Sequence, residues 1–250
     1  MISKKTFLDK LKNKVLIMDG AFGTEIQKKN YLNDVIIQEE LNIKFPERIT
    51  EIYSSYINAG SDIILANTFG ANYIKLKKHK LLDKADNIVR LGIDLIRKVS
   101  NNVIVAGDIS SIGEYIEPLG SLSFNEVYNA YAFQASLLQK YNADIVVIET
   151  ITEIKECKAA ILATRENFYG PIVVQMTFLK DGVTVTGTDL KSFITMAESL
   201  RVDVIGLNCS IGSQDSANLI KVLCDNTNLP ISFKPNAGIP SLINRETYFP

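Results

Sequence analysis

The hydrophobic residues of this chain are concentrated in short unbroken runs, and each run ends close to a polar residue. The runs occupy residues 15–19, 62–67, 103–108, 144–149, 171–176, 203–208 and 230–235. Continuous rather than alternating hydrophobicity is typical of strands that are buried on both faces of a parallel sheet. The pattern therefore predicts seven parallel strands.

The segments between these runs have the periodicity of amphipathic helices. In residues 46–60 the apolar positions share one helical face, and Gly60 suits the C-terminal cap. Ser123 and Glu126 form a capping-box pattern that predicts a helix up to about Tyr141, and a further helix is predicted over 152–165. Such regular alternation predicts either a doubly wound sheet or a (β/α)8 TIM barrel.

The ends of the predicted strands favour the barrel. Each strand ends at or next to a polar or reactive residue, and these are Asp19, Asn67, Asp108, Glu149, Thr177, Cys209 and Asn236. A barrel brings the C-terminal ends of all its strands to one site. In addition, residues 20–23 lack the Gly-x-Gly-x-x-Gly pattern of dinucleotide-binding doubly wound sheets.

A complete barrel of this type has eight strands, and the pattern predicts one fewer. Residues 238–250 are predicted to form a loop-like tail without a strand. An open barrel leaves an unpaired sheet edge and an uncovered apolar interior. We therefore expect one α/β domain over residues 1–250, a (β/α)8 TIM barrel truncated before its eighth strand, which is a fragment or relies on a partner.

Composition and charge narrow the classes of function. With 27 basic and 28 acidic residues the net charge is −1, which predicts a small-molecule ligand and no nucleic-acid partner. The charged N-terminus has no secretory pattern, and no segment approaches the roughly 18 apolar residues of a membrane span. We expect a cytoplasmic protein without a membrane partner. The odd number of cysteines argues against disulfides.

Two glycine-containing loops are candidate ligand-binding segments. Asp19, Gly20, Ala21, Phe22, Gly23 and Thr24 follow the first strand, where N–H groups could hold a carboxylate or simply form a tight turn. Asn67, Thr68 and Phe69 follow the second strand, where Asn67 could instead cap a helix. Glu149 ends a buried strand and needs a cationic partner, which could equally be a ligand ammonium or a lysine or arginine.

The cysteines and the single histidine differ in their predicted positions. Cys209 lies where a strand gives way to a loop, and this makes it a candidate metal ligand, although one thiolate does not make a zinc site. Cys157 and Cys224 fall in predicted helices and are expected to be packing thiols. His79 lies in a basic helical stretch and is expected to be solvated, so imidazole chemistry is not expected.

Six ordered motifs together resemble the homocysteine S-methyltransferase family. They occupy residues 18–24, 59–72, 107–120, 149–150, 206–210 and 235–238, over essentially the whole chain. The Glu-Pro-Leu-Gly segment at 117–120 resembles the cobalamin-dependent methionine synthases, in particular their N-terminal homocysteine-binding domain, more than the betaine-dependent branch.

The resemblance implies a barrel with zinc at the C-terminal ends of its strands. Three cysteines hold that zinc in the family, one in an Asn-Cys motif and two in a Gly-Gly-Cys-Cys motif. Cys209 matches the first, and the adjacent pair is absent from this sequence. By the same resemblance Asp19 and Glu149 hold the homocysteine ammonium, the backbone of 20–24 and 68–70 receives its carboxylate, and Asn236 is an additional contact.

The implied activity is zinc-dependent methyl transfer to the homocysteine thiol, which gives methionine. The donor is expected to be methylcobalamin, carried by cobalamin- and folate-binding domains or subunits. Zinc keeps a thiol as thiolate at neutral pH, and no histidine base is needed. The alternative is an incomplete amino-acid-binding module without a full zinc site. An aldolase-like barrel is less favoured, because its only candidate Schiff-base residue, Lys234, precedes a proline.

Overall fold

A computed structural model of the chain describes residues 1–238, 241–243 and 246–248. Its helices are α1 (Lys4–Asn13), α2 (Phe22–Lys28), α3 (Leu41–Lys44), α4 (Pro46–Asn58), α5 (Tyr73–Lys78), α6 (Ala85–Val99), α7 (Phe124–Lys140), α8 (Ile154–Asn167), α9 (Leu190–Ser199) and α10 (Ala217–Asn226). Its strands are β1 (Ile63–Leu65), β2 (Ile104–Ser110), β3 (Ile145–Ile151), β4 (Ile172–Met176), β5 (Val204–Gly212), β6 (Ile231–Asn236), β7 (Ser241–Ile243) and β8 (Glu246–Tyr248).

The first six strands form one parallel sheet in the order of the sequence. An isolated parallel bridge between Met18 and Ile63 adds the segment before β1 to this sheet. The sheet curls so far that Met18 Sδ lies 4.0 Å from Ser232 Oγ on β6. This curled α/β half-barrel is consistent with the predicted truncated TIM barrel.

The first predicted strand, 15–19, is only partly confirmed. Asp19 N donates to Ile63 O at 3.0 Å, but no regular strand forms there. Val15 and Ile17 are 82% and 53% exposed, because this segment lies at the sheet edge beside a β1 of only three residues. The other six predicted strands are confirmed.

The prediction of a tail without strands was wrong. β7 and β8 pair antiparallel, with Ser241 opposite Tyr248. Each of these strands is three residues long, which is shorter than the runs from which strands were predicted. The remaining residues 239–240, 244–245 and 249–250 of that tail lie outside the described residues.

The helix predictions agree with the structure to within a few residues. α4 begins at Pro46 and buries Ile49, Ile52 and Tyr53, while α8 covers the predicted 152–165 segment. The capping box at the start of α7 is formed, since Ser123 Oγ accepts from Glu126 N and Glu126 Oε2 accepts from Ser123 N. No helix among the described residues is long and apolar enough to cross a membrane.

Two hydrophobic layers lie on the two sides of the curled sheet. The larger layer packs the helices on the outer face. The smaller layer fills the inner face with Phe7 from α1 and with residues from the strands, namely Ile63, Leu65, Ala106, Ile145, Val147, Val173 and Val204. Phe7 therefore covers the sheet interior at the N-terminal ends of the strands. The polar residues lie at the opposite, C-terminal ends.

Candidate functional site

Asn208 ties three strand ends together at the C-terminal face. Its Nδ2 donates to Thr150 Oγ1 at 2.7 Å. Its Oδ1 accepts from Thr150 N at 3.2 Å and from Thr177 Oγ1 at 3.1 Å. Because Thr150 lies near the end of β3 and Thr177 directly follows β4, one buried amide connects the ends of β3, β4 and β5.

Cys209 stands beside Asn208 in a strained, irregular stretch of β5, where the pairing with β6 shifts register. Cys209 and Ser210 have φ values of 55° and 62°, and Thr150 opposite them has 57°. This left-handed conformation is unfavourable for residues with a Cβ, and such strain is concentrated at functional sites. Cys209 Sγ lies 3.7 Å from Thr150 Oγ1 and 3.5 Å from Asn208 Nδ2. Burial raises the pKa of the Cys209 thiol.

The Cys209 side chain also borders a small pocket with an apolar wall. The other lining residues are Phe178, Leu207, Asn208, Ile211, Leu219, Phe233 and Pro235. The thiol therefore lies between this apolar wall and the polar Thr150.

Three carboxyl groups and one lysine form a buried cluster on the same face. Asp19, Asp108 and Glu149 are 3%, 6% and 7% exposed. Lys234 Nζ lies 3.4 Å from Glu149 Oε2, which is the lysine alternative considered for that carboxylate. We refer to these four side chains as the acidic cluster.

The protonation of the acidic cluster is shifted by burial and by mutual interaction. Burial raises the pKa of Asp19 to about 7, although Lys234 and the Leu65 N–H oppose the shift. Burial and then Glu149 raise the pKa of Asp108 well above its usual range. Burial lowers the pKa of Lys234, but the three carboxyl groups outweigh it and the net shift is upward.

The loop after Asp19 is held by tyrosine packing. Asp19 Oδ2 accepts from Leu65 N at 2.9 Å. A Cβ at Gly20 would lie 2.8 Å from Cε1 of Tyr56, whose hydroxyl donates to Ala21 O at 3.0 Å. The remaining predicted residues Phe22, Gly23 and Thr24 form the first turn of α2.

The side chains of the second predicted loop are used to hold the loop itself. Asn67 Nδ2 donates to Gln38 O and Asn42 Oδ1, both at 2.9 Å. Thr68 Oγ1 accepts from Asp108 N at 3.0 Å and donates to Asp108 O at 2.9 Å. The Phe69 N–H has no backbone acceptor among the described residues.

The alternative role considered for Asn67, as a helix cap, belongs to a different residue. The cap of α5 is Asn72, whose side chain accepts from Lys75 N at 2.9 Å. Asn236, the additional predicted contact, lies at the end of β6 in register with Gly212.

The described residues supply one candidate zinc ligand, Cys209. Cys157 is fully buried in α8, as predicted for a packing thiol, whereas Cys224 is exposed on α10 and does not pack as predicted. His79 follows α5 and is half-buried. No group of three or more histidine, cysteine or carboxyl side chains suited to a metal occurs within the described ranges. One thiolate does not fit a zinc site alone, so no step through zinc is derived.

Sequence reasoning missed several residues of this face. Asn208 appeared only as part of a motif, and Asp108 only as one of several polar strand ends. Lys234 was considered only as a Schiff-base residue, and its partner Glu149 lies 85 residues away in the chain. The available signal was the presence of a lysine, Lys234, near the end of the last predicted strand.

The curled parallel sheet with polar strand ends defines an α/β barrel-type protein with a site at its C-terminal face. The model of the homocysteine S-methyltransferase family matches residues 16–249. The chain therefore belongs to the homocysteine S-methyltransferase family.

Curated relatives and solved structures agree with this assignment. The chain is 28% identical over 260 aligned positions to methionine synthases of Mycobacterium leprae and Mycobacterium tuberculosis, covering 97% of this chain and 22% of each relative. It thus spans about a fifth of the length of these relatives. The metallated form of the homocysteine methyltransferase MmuM from Escherichia coli has the same fold, with a TM-score of 0.78, 19% identity and coverage of 91% of this chain and 86% of MmuM.

Proposed function

We propose that this chain binds homocysteine at the C-terminal face and presents its thiol for methylation, which gives methionine. The observation that carries the proposal is the acidic cluster. It lies on the same face as Cys209 and the strained backbone around it. The carboxyl groups suit the ammonium of an amino acid, and Cys209 suits the region of its sulfur. Membership of the homocysteine S-methyltransferase family supports this orientation.

The amino-acid end of homocysteine is expected at the first strands of the sheet. Asp19 and Glu149 are proposed ammonium-binding residues, and both are buried carboxyl groups. The backbone of residues 20–24 and 68–70 is the proposed carboxylate site. The Phe69 N–H, which has no backbone acceptor among the described residues, supports it. The side chains of Asn67 and Thr68 shape this loop by their internal hydrogen bonds.

Cys209 is proposed to supply one thiolate ligand to zinc, and the further ligands would come from outside the described residues. The E. coli relative has been solved in a metallated form, which supports a metal in this fold. Zinc, when bound, would keep the substrate thiol as thiolate. The residues of this chain bind and orient the amino acid and exclude water from the carboxyl groups.

Methylcobalamin on another domain or subunit is the proposed methyl donor. The methionine synthase relatives are about five times as long as the aligned region, which supports further domains that bind cobalamin and folate. A cytoplasmic location remains an expectation from the sequence.

The test measures L-homocysteine binding, protein-bound zinc and methionine formation from methylcobalamin, on this chain together with the segment or partner that supplies the other zinc ligands. We expect Cys209→Ser to lower methionine formation at least about 100-fold and to remove bound zinc, since a metal ligand is lost. Cys224→Ser is the matched control, because Cys224 is exposed on α10. Absence of L-homocysteine binding to the unmodified chain would reject the proposal.

The second candidate function is an amino-acid-binding module without catalysis. The single cysteine ligand among the described residues favours it. It predicts L-homocysteine binding without bound zinc and without methionine formation. The two readouts of the same experiment therefore separate the two functions.

A further inference from the structure

The Asp108 carboxyl group is buried without a hydrogen-bond partner. Asp108 is 6% exposed, and neither of its carboxyl oxygens has a hydrogen bond among the described residues. The backbone of Asp108 is fully engaged by Thr68 and Gln134 instead. A buried polar group without a partner is costly, so natural proteins keep one where a ligand supplies the partner.

The side chain of Asp108 points into the interior of the curled sheet. Ala106, two residues earlier on β2, belongs to the inner hydrophobic layer, and alternate residues of a strand share a face. Asp108 is therefore the first polar residue above that layer on β2. Asp19 has the same character, since its Oδ1 is buried and unpartnered in the part of the chain that the structure describes.

Asp19 and Asp108 lie on the two sides of β1. Met18 bridges Ile63 on one side, and Ala106 pairs with Leu65 on the other. The 68–70 loop, which contains the Phe69 N–H that has no backbone acceptor among the described residues, follows β1. Each of these two carboxyl groups has an oxygen without a partner among the described residues, and together they flank the loop that is the proposed carboxylate site. Neighbouring strands of a sheet are about 4.8 Å apart.

Glu149 is in a different position from these two carboxyl groups. It lies on β3, one strand beyond Asp108, and it already has a cation because Lys234 Nζ is 3.4 Å from its Oε2. Lys234 is the one cation in the acidic cluster, which contains three carboxyl groups. Lys75 acts on Asp108 only from a distance, since its Nζ lies 3.5 Å from Ser110 Oγ and makes no ion pair with Asp108 among the described residues. The cluster therefore has room for a second cation near Asp19 and Asp108.

We propose that Asp108 is a third ammonium-binding residue, which holds the substrate ammonium together with Asp19 and Glu149, while Glu149 also keeps Lys234 as its built-in cation. The inference rests on the proposed function and adds a substrate-binding residue to it. The ammonium and carboxylate of an amino acid are attached to the same carbon. Their binding groups must therefore be neighbours, and Asp19 and Asp108 adjoin the 68–70 loop on both sides.

The experiment compares two ligands that differ only in the ammonium group. Dissociation constants of L-homocysteine and of 4-sulfanylbutanoic acid are measured by calorimetry for the unmodified chain and for Asp108→Asn. We expect Asp108→Asn to weaken L-homocysteine binding about 10- to 100-fold and to leave the deaminated analogue within about twofold. A purely structural role would change both ligands equally.

Asp203→Asn is the matched control. Asp203 is a buried aspartate at the opposite end of the sheet, where its Oδ2 accepts from Ile172 N at 2.9 Å. It should leave both dissociation constants unchanged. An Asp108→Asn chain that still distinguishes the two ligands as well as the unmodified chain would overturn the proposal. If the unmodified chain binds neither ligand, the proposed function itself fails.

Lys234→Met gives a second and independent result. Loss of the built-in cation releases Glu149 for the ligand, so L-homocysteine should bind several-fold more tightly while 4-sulfanylbutanoic acid changes little. Equal weakening of both ligands would instead mean that Lys234 binds the carboxylate, and this would overturn its assigned role.

Discussion

The two ends of the sheet use the same residue type in opposite ways. At the N-terminal end, an aspartate stands immediately before β1, β3 and β5, and its Oδ2 accepts a backbone N–H of the neighbouring segment. The pairs are Asp62 with Ile17 at 3.0 Å, Asp144 with Val105 at 3.0 Å and Asp203 with Ile172 at 2.9 Å. Each of these aspartates also has a cation of its own, namely Lys14, the Met1 ammonium and Lys4.

At the C-terminal end, Asp19, Asp108 and Glu149 all interact with Lys234, which forms an ion pair with Glu149, and Asp108 interacts at longer range with Lys75 as well. Two of these carboxyl groups keep an oxygen without a partner among the described residues. The comparison shows that each carboxyl group has its own cation where it holds the fold, whereas carboxyl groups outnumber the paired cations where a ligand is expected. This agrees with the separation of stability and function between the two ends of α/β barrels.

The pH dependence of stability should differ in sign between the two ends. Burial raises the pKa of Asp19 from 3.8 to about 7, so the folded chain keeps a proton that the unfolded chain releases. Its contribution is fully present below the unfolded pKa and is lost as the pH rises through about 7. We expect a loss of up to about 4 kcal/mol between pH 4 and 7, measured by urea unfolding.

Asp19→Asn and Asp62→Asn test this sign directly. Asp19→Asn should reduce the fall in stability between pH 4 and 7, and the raised pKa values of Asp108 and Glu39 should account for part of what remains. Asp62 behaves oppositely, because its ion pair with Lys14 and the Ile17 N–H lower its pKa. Its contribution is present above the unfolded pKa and is lost as the pH falls through the lower folded value. Parallel pH profiles of the two variants would contradict the comparison.

Asp19→Asn should also weaken ligand binding. The loss of a charge-assisted hydrogen bond to the ammonium is expected to cost about 2–3 kcal/mol of binding free energy. Calorimetry with L-homocysteine at pH 8 measures this cost. The same variant should not lower the free energy of unfolding at that pH, since the carboxylate is unfavourably buried there. An unchanged dissociation constant would remove Asp19 from the site.

Asp203→Ala should have the opposite outcome, a loss of stability without a loss of binding. The substitution leaves the buried Ile172 N–H without its acceptor and removes the ion pair with Lys4. We expect about 2 kcal/mol lower free energy of unfolding, measured by urea unfolding at pH 7. Asp203→Asn should cost less, because an amide oxygen can still accept from Ile172. A change in L-homocysteine affinity beyond twofold would argue against the separation of the two ends.

Lys14→Met should have the smallest effect. The Lys14 side chain is 57% exposed although its Nζ lies 2.6 Å from Asp62 Oδ1. Exposed ion pairs contribute about 0.5 kcal/mol and are screened by salt. The loss should therefore be small and should disappear in 1 M salt, as thermal unfolding with and without salt can show. A larger, salt-independent loss would mean that the Lys14 stem contributes by packing.

Much of the sheet could be predicted because fully buried strands have an unbroken hydrophobic pattern. The 15–19 segment carried the same pattern but forms only a bridge, since pairing depends on the length of its neighbour β1. The β7–β8 hairpin was missed because its strands are too short for a periodic signal.

The site was less accessible to sequence reasoning than the fold. Positive φ at Thr150, Cys209 and Ser210 could not be predicted, because these residue types rarely adopt it. The pairing of Lys234 with Glu149 depends on the curvature of the sheet, and no local pattern encodes it. The placement of these residues at strand ends could be predicted from the sequence, whereas their hydrogen-bond partners depend on the three-dimensional fold.

The contact between Met18 and Ser232 has a consequence for how the protein folds and opens. These residues are 214 positions apart, whereas neighbouring strands are joined by only a few tens of residues. Long loops close at a higher entropic cost and slow the formation of the contacts that depend on them. The seam between the first segment and β6 should therefore close last during folding and open first in native-state hydrogen exchange. Asp19 and Lys234 border this seam, so transient opening would give solvent and ligand a route to the carboxyl groups.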